Sequence, residues 1–365
     1  MARIHRTEEP ALLPRARHEH LLRQLELHGS VVAAEVAQDL GVSQVTIRRD
    51  ITELDAAGLL ARVHGGALAA PAATTPPRAA RTLVGIVIPS TTSYFPEVIR
   101  GMEAAALTHR MRLALAVSHY RPDLERSRVQ RLLDLGAKGL VVSPTIRGED
   151  VEEVARWIET LPVPVVMLER RVEETLQVRR LDSARTDHIY GIGLALEHLA
   201  RGGHRAVGLA VFDRTPTAPW LHTGYPVALT RLGIDAGPVV SLPKGEEDPG
   251  GLMRTLAAFL RACLAAEVRA AVVHTDFHAA RLVEVAHEIG LTVPEDFAIV
   301  AYDDELAAHA DVPLTAITSP RRELGQEALR LLADRIQPHP ERPRSPYQVQ
   351  LLPRLTVRES TSPAP

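Results

Sequence analysis

From residue 83 onward, short apolar runs recur along the chain: LVGIVI at 83–88, RLALAV at 112–117, GLVVS at 139–143, PVVML at 164–168, AVGLAV at 206–211, AAVVHT at 270–275 and FAIVAYD at 297–303. Between them lie amphipathic stretches, from Glu97 to His109, Leu124 to Leu135, Ile189 to Arg201, Leu252 to Ala266 and Ala279 to Ile289. Short strands alternating with helices predict βαβ crossovers and a mostly parallel, doubly wound sheet, and there are enough units for two such sheets. In open α/β sheets ligands bind beyond the carboxyl ends of the strands. The loops after 88, 143, 168, 211, 275 and 302 are therefore the predicted functional loops.

The pattern before residue 70 is different. Residues 31 to 67 read as a helix, a tight turn, a second helix and a basic hairpin, the layout of a winged helix-turn-helix. In Asp39-Leu40-Gly41-Val42-Ser43, Gly stands where a helix needs a left-handed exit and Ser where the next helix needs an N-cap. Ile47, Ile51 and Leu54 share one face of the second helix and are expected to pack on Val36, Ala37 and Leu40. At about 100° per residue, the opposite face carries Val45, Arg48, Arg49 and Thr52. Ser43, Gln44 and Thr46 sit in the first turn, from which recognition helices reach base edges. A Gly65-Gly66 turn then joins two short alternating pieces into a wing, with Arg62 and His64 near its tip.

Residues 68 to 81, LAAPAATTPPRAAR, show no periodicity and are rich in Pro, Ala and Thr, so they read as a linker. The predicted organisation is a DNA-binding domain over 1–68, a linker over 69–81 and a two-lobed domain over 82–365. The 365 residues are ample for these cores. The net charge is −3, so any DNA affinity must come from a local basic patch and not from bulk charge. A single cysteine, Cys263, excludes an internal disulfide and is read as a core residue of a helix. The N-terminus has no apolar core suited to a signal peptide, no stretch reaches the length of a membrane span, and a cytoplasmic location is expected.

The strings VSQVTIRRD and RVHGGA, at this separation, resemble the DeoR-type winged helix-turn-helix of bacterial transcription regulators over about residues 15 to 68. The resemblance implies DNA contacts from Ser43, Gln44, Thr46, Arg48 and Arg49, with Arg62 and His64 in the wing. From 82 to 365, IPSTTSYFPEVIRGMEAA, LLDLGAKGLVVSP, VPVVMLERR, HLARGGHRAVGLA and the long tail GLTVPEDFAIVAYDDELAAHADVPLTAITSPRRELGQEALRLL resemble the effector domain of LacI/GalR-type repressors. That implies the two-lobed, periplasmic-binding-protein type I fold, a small sugar-like effector in the interlobe cleft, and a homodimer on double-stranded operator DNA.

A polyol is held by carboxylate and amide acceptors on paired hydroxyls and by an aromatic surface against the ring. Asp303, Asp276, Thr275 and Glu169 end strands and are the candidate polar contacts, with Tyr94 and Phe95 as the candidate stacking surface. Two readings stand for several of these. Asp276 and Asp303 either bind ligand or cap the following segment, and Tyr94 and Phe95 either touch ligand or fill the core. Three positions depart from the family pattern: Leu221 where an Arg commonly clamps the ligand, Thr275 for Asn, and Lys138 for Asp. Trp220 and His222, beside Leu221, are candidates to take its place.

A transcription regulator, most simply a repressor, is the function these features support; an activator with the same ligand domain is the alternative. A carbohydrate-active enzyme finds no HExxH, GxSxG or P-loop string, and the sixteen His lack metal-ligand spacing. A solute-binding protein would not carry a DNA-binding module. No cofactor, metal or membrane partner is expected.

Overall fold

The computed structural model describes residues 14–69, 81–146, 151–170, 181–245, 247–337 and 345–361. Two compact units divide the chain, residues 1–80 and 81–365. The predicted linker, with Pro76-Pro77, lies outside the described residues apart from its two ends. Among the described residues, no helix is long and apolar enough to cross a membrane.

The first unit runs α1 (Pro14–His28), β1 (Ser30–Val32), α2 (Ala33–Asp39), α3 (Gln44–Ala56), β2 (Leu60–Val63) and β3 (Gly66–Ala69). Gly41 takes a left-handed φ of 63° and Ser43 accepts a hydrogen bond from the Thr46 amide at 3.2 Å, so the turn is built as its residues predict. Ile47, Ile51 and Leu54 pack with Val36 and Ala37 and with Leu21 and Leu25 of α1. Val31 and Val32 correct the predicted start of the first helix. They form a strand, Val31 buried and Val32 exposed, that pairs antiparallel with β3 and completes a sheet ordered β1-β3-β2. Two β-branched residues with period-two burial favour the pleat over the helix. A Cβ on Gly66 would overlap the Val31 carbonyl, so glycine is what lets the two strands close.

The second unit holds two parallel sheets of six strands each. The first lobe contains β4 (Thr82–Ile88), α4 (Phe95–Thr108), β5 (Met111–Val117), α5 (Pro122–Asp134), β6 (Leu140–Val142), α6 (Val151–Glu159), β7 (Val165–Leu168) and β8 (Asp182–Thr186). The second contains α7 (His188–Arg201), β9 (Ala206–Val211), α8 (Ala218–Leu232), β10 (Asp235–Ser241), α9 (Pro249–Ala265), β11 (Ala270–His274), α10 (Asp276–Glu288), β12 (Ala298–Tyr302) and β13 (Thr315–Thr318). The chain then returns through α11 (Arg321–Ile336) and β14 (Gln348–Leu351) to the first lobe and ends with β15 (Arg354–Thr356) in the second. The sheet orders are β14-β8-β7-β6-β4-β5 and β10-β9-β11-β12-β13-β15, and β15 alone of these strands runs antiparallel to its neighbour. Three crossings, at 186–188, 318–321 and 351–354, tie the lobes together and leave the strand ends facing one cleft.

All seven apolar runs are strands. The strand β8 was not predicted, because Asp182, Ser183, Arg185 and Thr186 show no apolar run, yet every residue of it is buried. Asp182 and Thr186 are satisfied by partners distant in sequence, Asp182 by Arg335 at 2.5 Å and Thr186 by Glu169 at 2.6 Å. In the first lobe α4 crosses α11 with backbones in contact: a Cβ on Gly101 would overlap the Arg322 carbonyl, and one on Gly325 the Val98 carbonyl. Cys263 is fully buried in α9, and burial pushes its thiol up to about 12.

Candidate functional site

On α3 the string Arg48-Arg49-Asp50 splits by face. Arg48 and Arg49 are exposed, while Asp50 is buried and its two oxygens accept from Nε and Nη2 of Arg17 in α1, at 2.8 and 3.0 Å. Asp50 thus fixes the recognition helix to the helix behind it. Among the described residues Arg49 meets only Glu53, in an exposed pair at 3.2 Å that costs little to exchange for a phosphate. Ser43 and Gln44 are exposed and Thr46 half-buried, and the Ser43 and Thr46 hydroxyls share a hydrogen bond of 2.8 Å. In the wing, His64 lies exposed in the turn. The Arg62 amide donates to Asp55 at 3.1 Å and its guanidinium to Thr52 at 3.4 Å, which docks the wing beside α3. Val45, 75% exposed on the same face, is an apolar side chain that no core explains; its position opposite Ile47 was the sequence signal for it.

In the second unit a cavity of about 410 Å³ opens between the lobes. The chain has only five Phe, two Trp and six Tyr. Six of these thirteen, Tyr94, Phe95, Tyr120, Phe212, Trp220 and Phe277, line this one cleft. So dense an aromatic lining in an aromatic-poor protein makes this cleft the candidate ligand site.

Among the predicted contacts, Tyr94, Phe95, Glu169, Trp220, Thr275, Asp276 and Asp303 all line the cleft, but they divide by what they already hold. One oxygen of Glu169 accepts from the Tyr94 hydroxyl at 2.5 Å, from the Thr186 hydroxyl at 2.6 Å and from the Thr186 amide at 3.1 Å; the other lies 3.6 Å from His188. Burial works against the Glu169 carboxylate, but His188, Thr186 and Tyr94 together hold it below the usual carboxylate range. Glu169 is a brace within the wall. Asp276 accepts from the amides of Glu305, Leu306 and Ala307 at 2.6, 2.5 and 3.1 Å, so it anchors the loop after β12. The cap of α10 falls to Thr275, which forms a reciprocal capping box with His278. Phe95 is 5% exposed, meets Tyr94 edge-on at 5.6 Å and belongs mainly to the lobe core.

Asp303 keeps its carboxylate for the cleft. It ends β12 with a positive φ of 98°, lies 3.8 Å from His274, and is pushed by burial up to about 6. Burial pushes His274 down to about 3, so its imidazole is neutral, and among the described residues its Nδ1 has no hydrogen-bond partner. A neutral imidazole has one N–H donor and one acceptor nitrogen, so a buried Nδ1 without a partner is a place for a ligand or water group of the matching polarity. The neighbouring Asp304 is structural, paired with Arg358 at 2.8 Å and Thr318 at 2.6 Å.

Two expectations around α8 are corrected. Leu221 is fully buried against the sheet of the second lobe and does not face the cleft, because it falls on the inner face of its helix. The position where the resemblance puts a clamping Arg faces the lobe core in this chain; Trp220, one position earlier, lines the cleft. His222 is turned out of the wall and pairs with Asp213 at 2.6 Å. Sequence reasoning missed Arg185, His188, Lys244, His274 and Glu305, all lining the cleft. Their signal was position at strand ends and on the lobe crossings. Arg321 joins the lobes here: it starts α11, covers the Tyr94 ring at 5.1 Å, donates to the Asp303 carbonyl and lies 3.4 Å from Glu305.

Residues 17–71 match the model of the DeoR-like helix-turn-helix domain and residues 196–361 that of the periplasmic binding protein-like domain. The arabinose metabolism transcriptional repressor of Geobacillus stearothermophilus is 26% identical over 310 residues, 83% of this chain and 84% of that protein. The ribose operon repressor of Escherichia coli is 27% identical over 285 residues, 76% and 82% of the two chains. This chain is a transcription regulator that joins a DeoR-like helix-turn-helix domain to a periplasmic binding protein-like domain similar to that of LacI-type repressors. A ribose-bound LacI family regulator from Enterococcus faecium shares the fold with a TM-score of 0.59 at 23% identity, covering 78% of the regulator and all of that chain. The regulator's two lobes are therefore those of the periplasmic-binding-protein type I fold, as the resemblance implied, built on the parallel sheets that the strand pattern predicted.

Proposed function

We propose that the regulator is a repressor whose hold on operator DNA is set by a small sugar-like effector in the interlobe cleft. The observation that carries this is that Asp303 and His274, whose Nδ1 has no partner among the described residues, lie side by side in the lining of an aromatic-rich cavity reached from both lobes. A ligand bound there touches both lobes and favours one arrangement of them, the condition for linking cleft to DNA. Residues 69–81 serve as the linker between the sensor and the reading head. The protein acts on operator DNA as a homodimer, in the cytoplasm, because winged modules gain affinity by binding two half-sites. A single monomeric species at micromolar concentration in the ultracentrifuge would remove the dimer from this scheme.

In the reading head, Ser43, Gln44, Val45, Thr46, Arg48 and Arg49 face the major groove, and Arg62 and His64 the adjoining backbone. Replacing Arg48 by Ala is expected to cost about 1–3 kcal/mol of operator binding without a change in thermal stability, since the side chain is exposed. Fluorescence anisotropy on operator DNA, beside melting curves, checks both halves.

The effector is sought first among the pentoses that the relatives' names point to, arabinose and ribose, by anisotropy titration of the DNA complex. Sugar hydroxyls need the ionised Asp303, so affinity is expected to fall as pH drops through about 6, where this carboxylate takes up its proton. Calorimetry between about pH 5 and pH 8 checks this; an unchanged profile, equal to that of Asp303→Asn, takes Asp303 out of the site. If no small molecule moves operator affinity, the sensing half of the proposal fails.

A further inference from the structure

The sequence puts Trp220 forward as a surface for a ligand ring; the structure gives one face of its indole to another residue. Arg185 reaches the cleft from β8 in the first lobe, is 5% exposed, and lays its guanidinium over the Trp220 ring of the second lobe, 4.3 Å from the centroid. Its Nη1 donates to the Thr186 carbonyl at 3.4 Å. The Gln350 amide, turned to accept from Nη2 at 2.6 Å, also donates to Asp187 at 3.1 Å. The guanidinium is thus held flat and in one orientation. Stacking occupies its face, and recognition of a planar oxyanion uses its edge, so a stacked arginine is presented for carboxylate or phosphate with little rotamer freedom left to lose.

The rest of the wall agrees. Arg170 also lines the cavity but is turned to the Pro144 and Glu169 carbonyls; Lys244, in the loop after β10, brings a further positive charge, beside Glu247 at 3.2 Å. Of the acids, Glu169 and Asp276 are engaged by protein donors and Glu305 faces Arg321, which leaves Asp303 as the acceptor. Thr217 and Thr275, which precede α8 and α10, also line the cavity, so two long helices turn their positive ends toward it.

We infer that the cleft takes an acidic polyol, a sugar carrying a carboxylate or a phosphate, with the oxyanion on Arg185 and Lys244 and hydroxyls on Asp303 and His274. Trp220 is then a positioning residue for Arg185. This rests on the effector reading above and narrows its ligand class.

The test is calorimetry of the full chain with three matched pairs: galactose and galacturonate, glucose and gluconate, ribose and ribose 5-phosphate. At least one acid is expected to bind roughly ten- to hundredfold more tightly than its neutral partner, the range of charge-assisted hydrogen bonds. Which acid does so tells carboxylate from phosphate. Arg185→Gln should erase that preference, so that the acid binds no more tightly than its neutral partner does to the same variant. Arg185→Lys, which keeps the charge but not the planar edge, should fall between, and melting curves show whether each variant is folded. A neutral sugar that binds as tightly as its acid, or a preference that survives Arg185→Gln, overturns the inference and leaves the effector reading standing. No binding by any of the six, together with no effect of any on operator affinity, counts against both.

Discussion

Replacing Asp50 by Ala should unfold the DNA-binding unit at a much lower temperature while the effector unit melts as before. The carboxylate is buried and takes two hydrogen bonds from a guanidinium that is itself 9% exposed, and His18 lies 3.3 Å from it. Removing one partner of a buried pair leaves the other charge uncompensated, which costs about 3–5 kcal/mol. The unit's core is small, built on Leu21, Leu25, Ile47, Ile51 and Leu54 with a few neighbours, so a loss of that size is a large part of its stability. Each kcal/mol moves the midpoint by roughly 4–8 °C in a domain of this size. Calorimetry of the full chain should show one shifted transition, and the Arg17→Met, Asp50→Leu double variant should recover part of the loss, because no charge is stranded. An unshifted first transition in Asp50→Ala would mean that the pair does not hold α1 to α3.

The second large effect is expected at Gly325. A Cβ there meets the Val98 carbonyl and at Gly101 the Arg322 carbonyl, so neither helix can yield without the pair separating. Overpacking of this kind costs about 1–3 kcal/mol, and more where the obstacle is backbone, as it is here. Gly325→Val should therefore lower the melting temperature of the effector unit and leave the DNA-binding transition alone. It should also weaken effector binding, since α11 begins with Arg321, whose contacts with the Asp303 carbonyl and Glu305 join the lobes at the cleft. Melting and calorimetric titration of this variant are read together: an unchanged melt contradicts the close helix crossing, and a lowered melt with full effector affinity contradicts the role of α11 in the cleft.

Much of this architecture was legible in the chain because burial has a period. The runs at 83–88, 206–211 and 297–303 are strands since each is sealed on both faces and needs no polar alternation. The Gly41–Ser43 turn was legible because a left-handed exit and an N-cap are chemical demands on single residues. Legibility failed where polar residues are buried by partners far away in sequence. Thus β8 carries Asp182 and Arg185 into the interior on the strength of Arg335 and Trp220, roughly 150 and 35 residues distant. The same limit hid the division of labour among the cleft acids. Glu169, Asp276 and Asp303 look alike at strand ends, and only their donors show that the first two are occupied by the fold. His222 was read as a wall residue with Trp220, but two positions along a helix turn the side chain by about 200°, and it pairs with Asp213 instead.

The central claim is that cleft and operator are linked, and reciprocity tests it most directly. With a ligand that binds the wild-type chain but not Asp303→Asn, operator affinity is measured with and without saturating ligand, and ligand affinity with and without operator. The two ratios are predicted to be equal and to amount to at least about fivefold, the lower end of allosteric coupling. A ligand that saturates the cleft and leaves operator affinity unchanged would contradict the account.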